Sequence, residues 1–146
     1  MSFADIAVSN RNIKNSFLET ISKHVDWVKI EEIILKNYNK GKRADGRHAY
    51  SGLVLFKMCL LQEWYGVSAK KLEIMVNDSV SMSHFLEQSL DEKIPSAHTF
   101  LSFKYEMIRK DVFLQLTDSI KDNLEKKSIK IKKGSFKTPV LVKKKS

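Results

Sequence analysis

The chain contains a single cysteine in 146 residues, so no internal disulfide can form. Cys59 lies in the most apolar stretch, where a small buried thiol is expected rather than a reactive one. The opening Met1-Ser-Phe-Ala-Asp5 has neither a basic start nor an apolar run, so no signal peptide is expected. Together these point to a reducing, cytoplasmic setting. No glycine-rich phosphate loop occurs. His24, His48, His84 and His98 have no helical i, i+4 partner, which argues against a metal centre, and no cofactor is expected. Glu31-Glu32 and Asp91-Glu92 are adjacent pairs, and neighbours on a helix point in different directions. No nucleophile and base stand at a workable spacing, so the residues make no positive case for an enzyme. The apolar run from Leu53 to Tyr65 is too short to span a bilayer and is interrupted by Lys57. No internal repeat is found.

Acid is missing from the C-terminal stretch. Residues 126–146 hold nine lysines and no Asp or Glu, which leaves 17 basic against 17 acidic residues in the rest of the chain. The net charge of +9 therefore belongs to the tail and the body is neutral. Such a tail binds polyanions without sequence preference. Charge alone gives no case that the body does so.

What is present is helical period. Between Leu53 and Tyr65 only Lys57, Gln62 and Glu63 are polar, leaving a narrow wet strip on a helix that is apolar nearly all round. Such a helix belongs at the centre of a small bundle, with Trp64 as core. Gly66 reads as its C-terminal stop and Ser68 as the N-cap of the next helix. Upstream, Ile13, Phe17, Leu18 and Ile21 predict a helix near 12–23, and Asp26 can cap a second carrying Trp27, Ile30, Ile34 and Tyr38 on one stripe. Downstream, Ala69, Leu72 and Val76 share a face. Ser81 can cap a short helix over 81–88, and Ser96 caps another over 96–110. In that last helix Phe100, Phe103 and Met107 form one apolar stripe, with Leu101, Tyr105 and Ile108 beside it. Asp111 can cap a final helix with Phe113, Leu116, Ile120 and Leu124. The period then changes to two at Ser128-Ile-Lys-Ile-Lys132, which is strand patterning with no partner in view. The expected fold class is all-α: about six helices in a domain over 12–126, followed by an unpaired basic tail over 127–146.

Two stretches suggest a polyanion partner. The loop from Asn39 to His48 carries Lys40, Lys42, Arg43 and Arg47, the donors that phosphate contacts require. A solvated linker is the plainer reading. The helices at 68–77, 81–88 and 96–110 make a helix-turn-helix candidate. Units of this type place their last helix in the DNA major groove, with residues near its start reaching base edges. Those residues would be Ser96, Ala97, His98 and Thr99.

The ordered blocks along the chain carry a resemblance. They are Phe17-Leu18, Trp27 to Leu35, Tyr38 to Lys42, Gly46-Arg47 to Tyr50 and Leu55 to Ser68. Then come Leu72-Glu73 with Asn77-Asp-Ser79, Phe85-Leu86 with Ser89-Leu90-Asp91, and Ile94-Pro95 with Thr99-Phe100. In this order they resemble the N-terminal domain of InsH-like, DDE-type bacterial insertion-sequence transposases. The Leu60-Leu61-Gln62 lead into Trp64-Tyr65-Gly66 is its most specific block. The resemblance implies double-stranded DNA as partner, at element ends or non-specifically, with a nucleoid-associated location, no membrane, and a homodimer left open. It also implies a following catalytic domain with a metal-binding Asp-Asp-Glu set, whose first aspartate lies just after a Lys-Gly turn like Lys133-Gly134. This chain instead reads Ser135-Phe-Lys-Thr-Pro139 there, so it resembles a non-catalytic fragment cut before that domain. The family often has an arginine where this chain has Ser102, while Lys104 keeps a second basic position. DNA-binding candidates are thus Lys40, Lys42, Arg43, Arg47, Ser96, His98, Thr99, Ser102 and Lys104. The alternative is a structural or oligomerising helical bundle whose DNA binding has decayed.

Overall fold

The computed structural model describes residues 17–38, 50–88, 93–133 and 139–143. Within them the chain forms α1 (17–24), α2 (Trp27–Asn37), α3 (Gly52–Tyr65), α4 (Ala69–Asp78), α5 (Val80–Phe85), α6 (Ala97–Arg109), α7 (Phe113–Glu125), β1 (Ile129–Lys133) and β2 (Pro139–Lys143). The all-α class holds, with seven helices among the described residues and a two-stranded hairpin at the end. No helix among them is long and apolar enough to cross a membrane.

Helix α3 is the axis of the bundle, as its apolar circumference requires. Leu55, Phe56, Met58, Cys59, Leu60, Leu61 and Trp64 are all buried, and α2, α4 and α6 pack around it. Each large side chain removed from water in this way contributes about 1.5–3 kcal/mol. Helix α2 packs closely because Gly52 has no side chain: a Cβ there would collide with Ile34 and crowd Tyr38. The Tyr38 ring meets Phe103 of α6 edge-on at 5.0 Å. Phe17 of α1 meets Trp64 in the same manner at 5.5 Å.

Most boundaries follow from local capping. Asp26, Ser68 and Ser96 each accept a hydrogen bond from the backbone N–H three residues on, at Lys29, Lys71 and Thr99. Ser51 does the same for α3. Gly66 stops α3 in the left-handed conformation at φ 61°, donating its N–H to the Gln62 carbonyl.

Four expectations are corrected. Lys57 is not part of a wet strip but is buried at 3% exposure. Ser79, not Ser81, caps α5, accepting from the Met82 N–H at 3.2 Å, and Ser81 hydrogen-bonds Ser79 instead. Asp111 does not cap α7: it adopts a left-handed φ of 60°, and Val112 takes the cap position without a side-chain bond. The strand at 129–133 has a partner after all. It pairs antiparallel with 139–143, Ile131 opposite Leu141, so the described part of the tail is a hairpin. Val140, Leu141 and Val142 favour strand, yet show no alternation to mark them as one. Ile129 and Ile131 point to the helical core, which anchors the hairpin against α7. The start of the first predicted helix, at 12–16, lies outside the described residues.

Candidate functional site

Helices α4, α5 and α6 form the unit on which a functional reading turns. Ser79 ends α4 and begins α5, so the two helices share one residue as cap. Ser83 ties the turn together by donating to the Val76 carbonyl at 3.3 Å. Ile94 and Pro95 are buried in the approach to α6, and Ser96 starts that helix. The Ala97 N–H donates to the Glu73 carboxylate at 3.2 Å. An acid from α4 thus occupies the positive end of α6 and braces the two helices against each other. Lys70 lies 3.6 Å from the same carboxylate.

Below this unit sits a charge in an unusual place. The Lys57 ammonium donates to the Phe85 carbonyl at 2.8 Å, at the end of α5. It also lies 4.6 Å from the Trp27 ring centroid and 5.0 Å from that of Phe85. Burial lowers its pKa, opposed by the carboxylates of Glu87 and Glu31. The cation is therefore spent inside the fold, joining α3 to α5 at the end of that helix.

Helix α6 buries Phe100, Phe103 and Met107 and presents its other side to solvent. The predicted contact residues separate on it. His98 and Ser102 are exposed, one turn apart, on the outward face. Ser96 and Thr99 are half-buried and bonded to each other, Oγ to Oγ1, at 2.9 Å as part of the cap. Lys104 turns toward α7, with its ammonium 5.7 Å from the Phe113 ring centroid. Lys40, Lys42, Arg43 and Arg47 lie outside the described residues. Two side chains that sequence reading left aside join the outward face. Tyr105 is 66% exposed rather than packed in a second apolar stripe, and Arg109 is exposed one turn further on. The signal was available: 98, 102, 105 and 109 follow the 4-3-4 spacing of a single helix face.

An apolar groove lies elsewhere. A groove of about 720 Å³ runs between α3, α7 and β1, lined by Leu60, Trp64, Phe113, Ile120, Leu124 and Ile131. Glu63, Asp111 and Glu125 reach it, but no group of three or more His, Cys, Asp or Glu among the described residues could hold a metal ion. The Cys59 thiol is buried, donates weakly to the Phe100 carbonyl at 3.7 Å and has its pKa pushed up to about 12 by burial. That is the environment of an inert thiol.

Residues 7–106 match the model of a family described as a transposase domain (DUF772). The match runs through α1 to α5 and most of α6. No solved structure matches the chain.

Proposed function

The chain belongs to the DUF772 transposase-domain family, and from that premise we propose that it serves DNA transposition by binding duplex DNA, without itself cutting or joining strands. The observation that carries this reading is the braced helix α6. It is fixed at its start by the Ser96 cap and the Glu73 bond, and it turns a polar face to solvent. A helix held rigidly at one end with such a face is the working part of helix-turn-helix readers. The basic segment carrying Lys40, Lys42, Arg43 and Arg47 would supply phosphate contacts alongside it, as would the lysines of 126–146. The non-catalytic part of the proposal rests on sequence. Two-metal strand transfer needs carboxylate ligands, and Ser135-Phe-Lys-Thr-Pro139, where the resemblance puts the first one, contains no acid.

The test is binding of the pure 146-residue chain to two probes across salt: duplexes taken from the DNA flanking its coding sequence, and a randomised duplex pool. Retention of either, weakening steeply between about 50 and 200 mM salt, is expected. Absence of binding to both at low salt would refute the reading, and metal-dependent strand cleavage abolished by one carboxylate substitution would refute its non-catalytic part.

A second reading has its own observation. Ile108 and Leu114 are 50% and 64% exposed beside the apolar groove, surface that an oligomerising bundle would cover. A concentration-dependent dimer in sedimentation, lost in Leu114→Glu, together with no DNA binding, would favour it.

A further inference from the structure

We propose that the exposed stripe His98, Ser102, Tyr105 and Arg109 faces the DNA, and that α6 reads it with its C-terminal half, through Tyr105 and Arg109, rather than with its start. This rests on the duplex-binding reading above and specifies which side chains carry it. All four residues lie opposite the buried Phe100, Phe103 and Met107, so the helix shows them together to solvent. From 98 to 109 the stripe is about 16 Å long at 1.5 Å per residue, a length that covers about five base steps of a major groove wide enough to admit a helix.

The direction of reading follows from charge. The start of α6 is where a reading helix usually touches DNA, and here the Glu73 carboxylate sits on it. An acid at that end repels phosphate and uses the backbone N–H that would otherwise meet one. The other end carries only the helix's own negative partial charge, and Arg109 in the last turn offsets it. Glu106, the only acid in α6, lies on the flank with Lys110 at 3.3 Å. Asp111 lines the groove under the hairpin. Arg109 therefore presents a guanidinium on a face without a carboxylate of its own helix. Its fork matches the O6 and N7 acceptors of guanine, while the Tyr105 hydroxyl and ring suit a neighbouring phosphate and sugar. Lys104, turned onto Phe113, is excluded from the contact.

The experiment takes Arg109→Ala, Arg109→Lys, Tyr105→Ala, His98→Ala and Lys104→Ala in the full chain. Each is measured against the sequence enriched from a randomised duplex pool by the unmodified protein, and against the unselected pool. Melting temperatures confirm that all five variants are folded. Arg109→Ala is expected to weaken binding to the enriched duplex about 10- to 100-fold and to reduce its preference over the pool. Arg109→Lys should not restore that preference, because a single ammonium lacks the fork. Tyr105→Ala should weaken both probes, and Lys104→Ala neither. If the unmodified chain binds and both Arg109→Ala and Tyr105→Ala bind like it, the stripe is wrong while duplex binding stands. Loss confined to His98→Ala would return the contact to the start of α6 and overturn the direction of reading. If the unmodified chain binds neither probe, the functional reading falls and the stripe with it.

Discussion

The Lys57 ammonium donates to the Phe85 carbonyl across 28 positions of sequence, 2.8 Å apart, from a side chain that is buried. This bond joins the central helix to the last turn of α5. It places a cation where the helix end gathers negative partial charge. Removing it leaves the carbonyl buried and unpaired, a loss of about 1–3 kcal/mol. Lys57→Met should therefore destabilise by about that much while keeping most of the volume. Lys57→Ala should cost more, because the stem of Lys57 also fills space in the core. Urea denaturation of the two variants checks this. A Lys57→Met protein as stable as the original would show that the bond contributes nothing net.

Trp64 is 9% exposed and lies between the rings of Phe17 and Phe85, 5.5 and 5.9 Å away. Truncating a buried aromatic costs about 3–5 kcal/mol, against the roughly 5–15 kcal/mol that holds a domain together. Trp64→Ala should lose most of its stability and melt near or below room temperature. His98→Ala, on an exposed position, should stay within about 0.5 kcal/mol of the original. A Trp64→Ala protein melting normally by circular dichroism would contradict the placement of α3 at the centre of the bundle.

Cys59 makes stability depend on alkaline pH. Its thiol, ordinarily near 9, is pushed up to about 12 by burial in the fold. The unfolded chain therefore loses this proton first as pH rises. Between those two values the folded state holds the extra proton, so stability falls with increasing pH by at most about 1.4 kcal/mol per pH unit. Below pH 9 the contribution is fully present. Cys59→Ala removes the effect, so the gap between its urea stability and that of the original should change steadily from about pH 9 upward. Parallel curves would mean that the thiol ionises freely in the folded protein.

The caps and the central helix were legible because their signals are local. Asp26, Ser68 and Ser96 each lie three residues before the N–H they accept, and Gly66 follows directly on Tyr65. What escaped depends on residues far apart in sequence, or on a choice between near-equal neighbours. A lysine reads as surface unless the rings of Trp27 and Phe85 are known to surround it. Ser79 and Ser81 compete for one cap only two residues apart, and packing decides between them. The second strand has no alternation, so only its pairing with 129–133 identifies it. On α6, His98 and Ser102, named from the sequence as DNA-binding candidates, are exposed. The sequence pattern marked Tyr105 as core because an aromatic at helical spacing usually is. The residues of α6 thus set its boundaries and its core side of Phe100, Phe103 and Met107, while the exposure of Tyr105 and Ile108 emerged only in the folded bundle.

The tail sets the last prediction, and the hairpin changes how it must be tested. Deleting 126–146 would remove nine lysines but also Ile129 and Ile131, which pack on the helical core, so any loss of binding would mix charge with damage to the fold. Substituting Lys126, Lys127 and Lys130 by Gln avoids this, since all three are exposed. Each phosphate neutralised adds about 0.9 to the slope of log affinity against log salt. The triple variant should therefore flatten that slope by up to about 2.7 on the unselected duplex pool, with stability changed by less than about 0.5 kcal/mol per site. Preference for an enriched sequence should survive, because charge without geometry distinguishes no bases. An unchanged slope would take the phosphate contacts off these lysines and assign them to the segment carrying Lys40, Lys42, Arg43 and Arg47, where substitutions to Gln would be the next measurement.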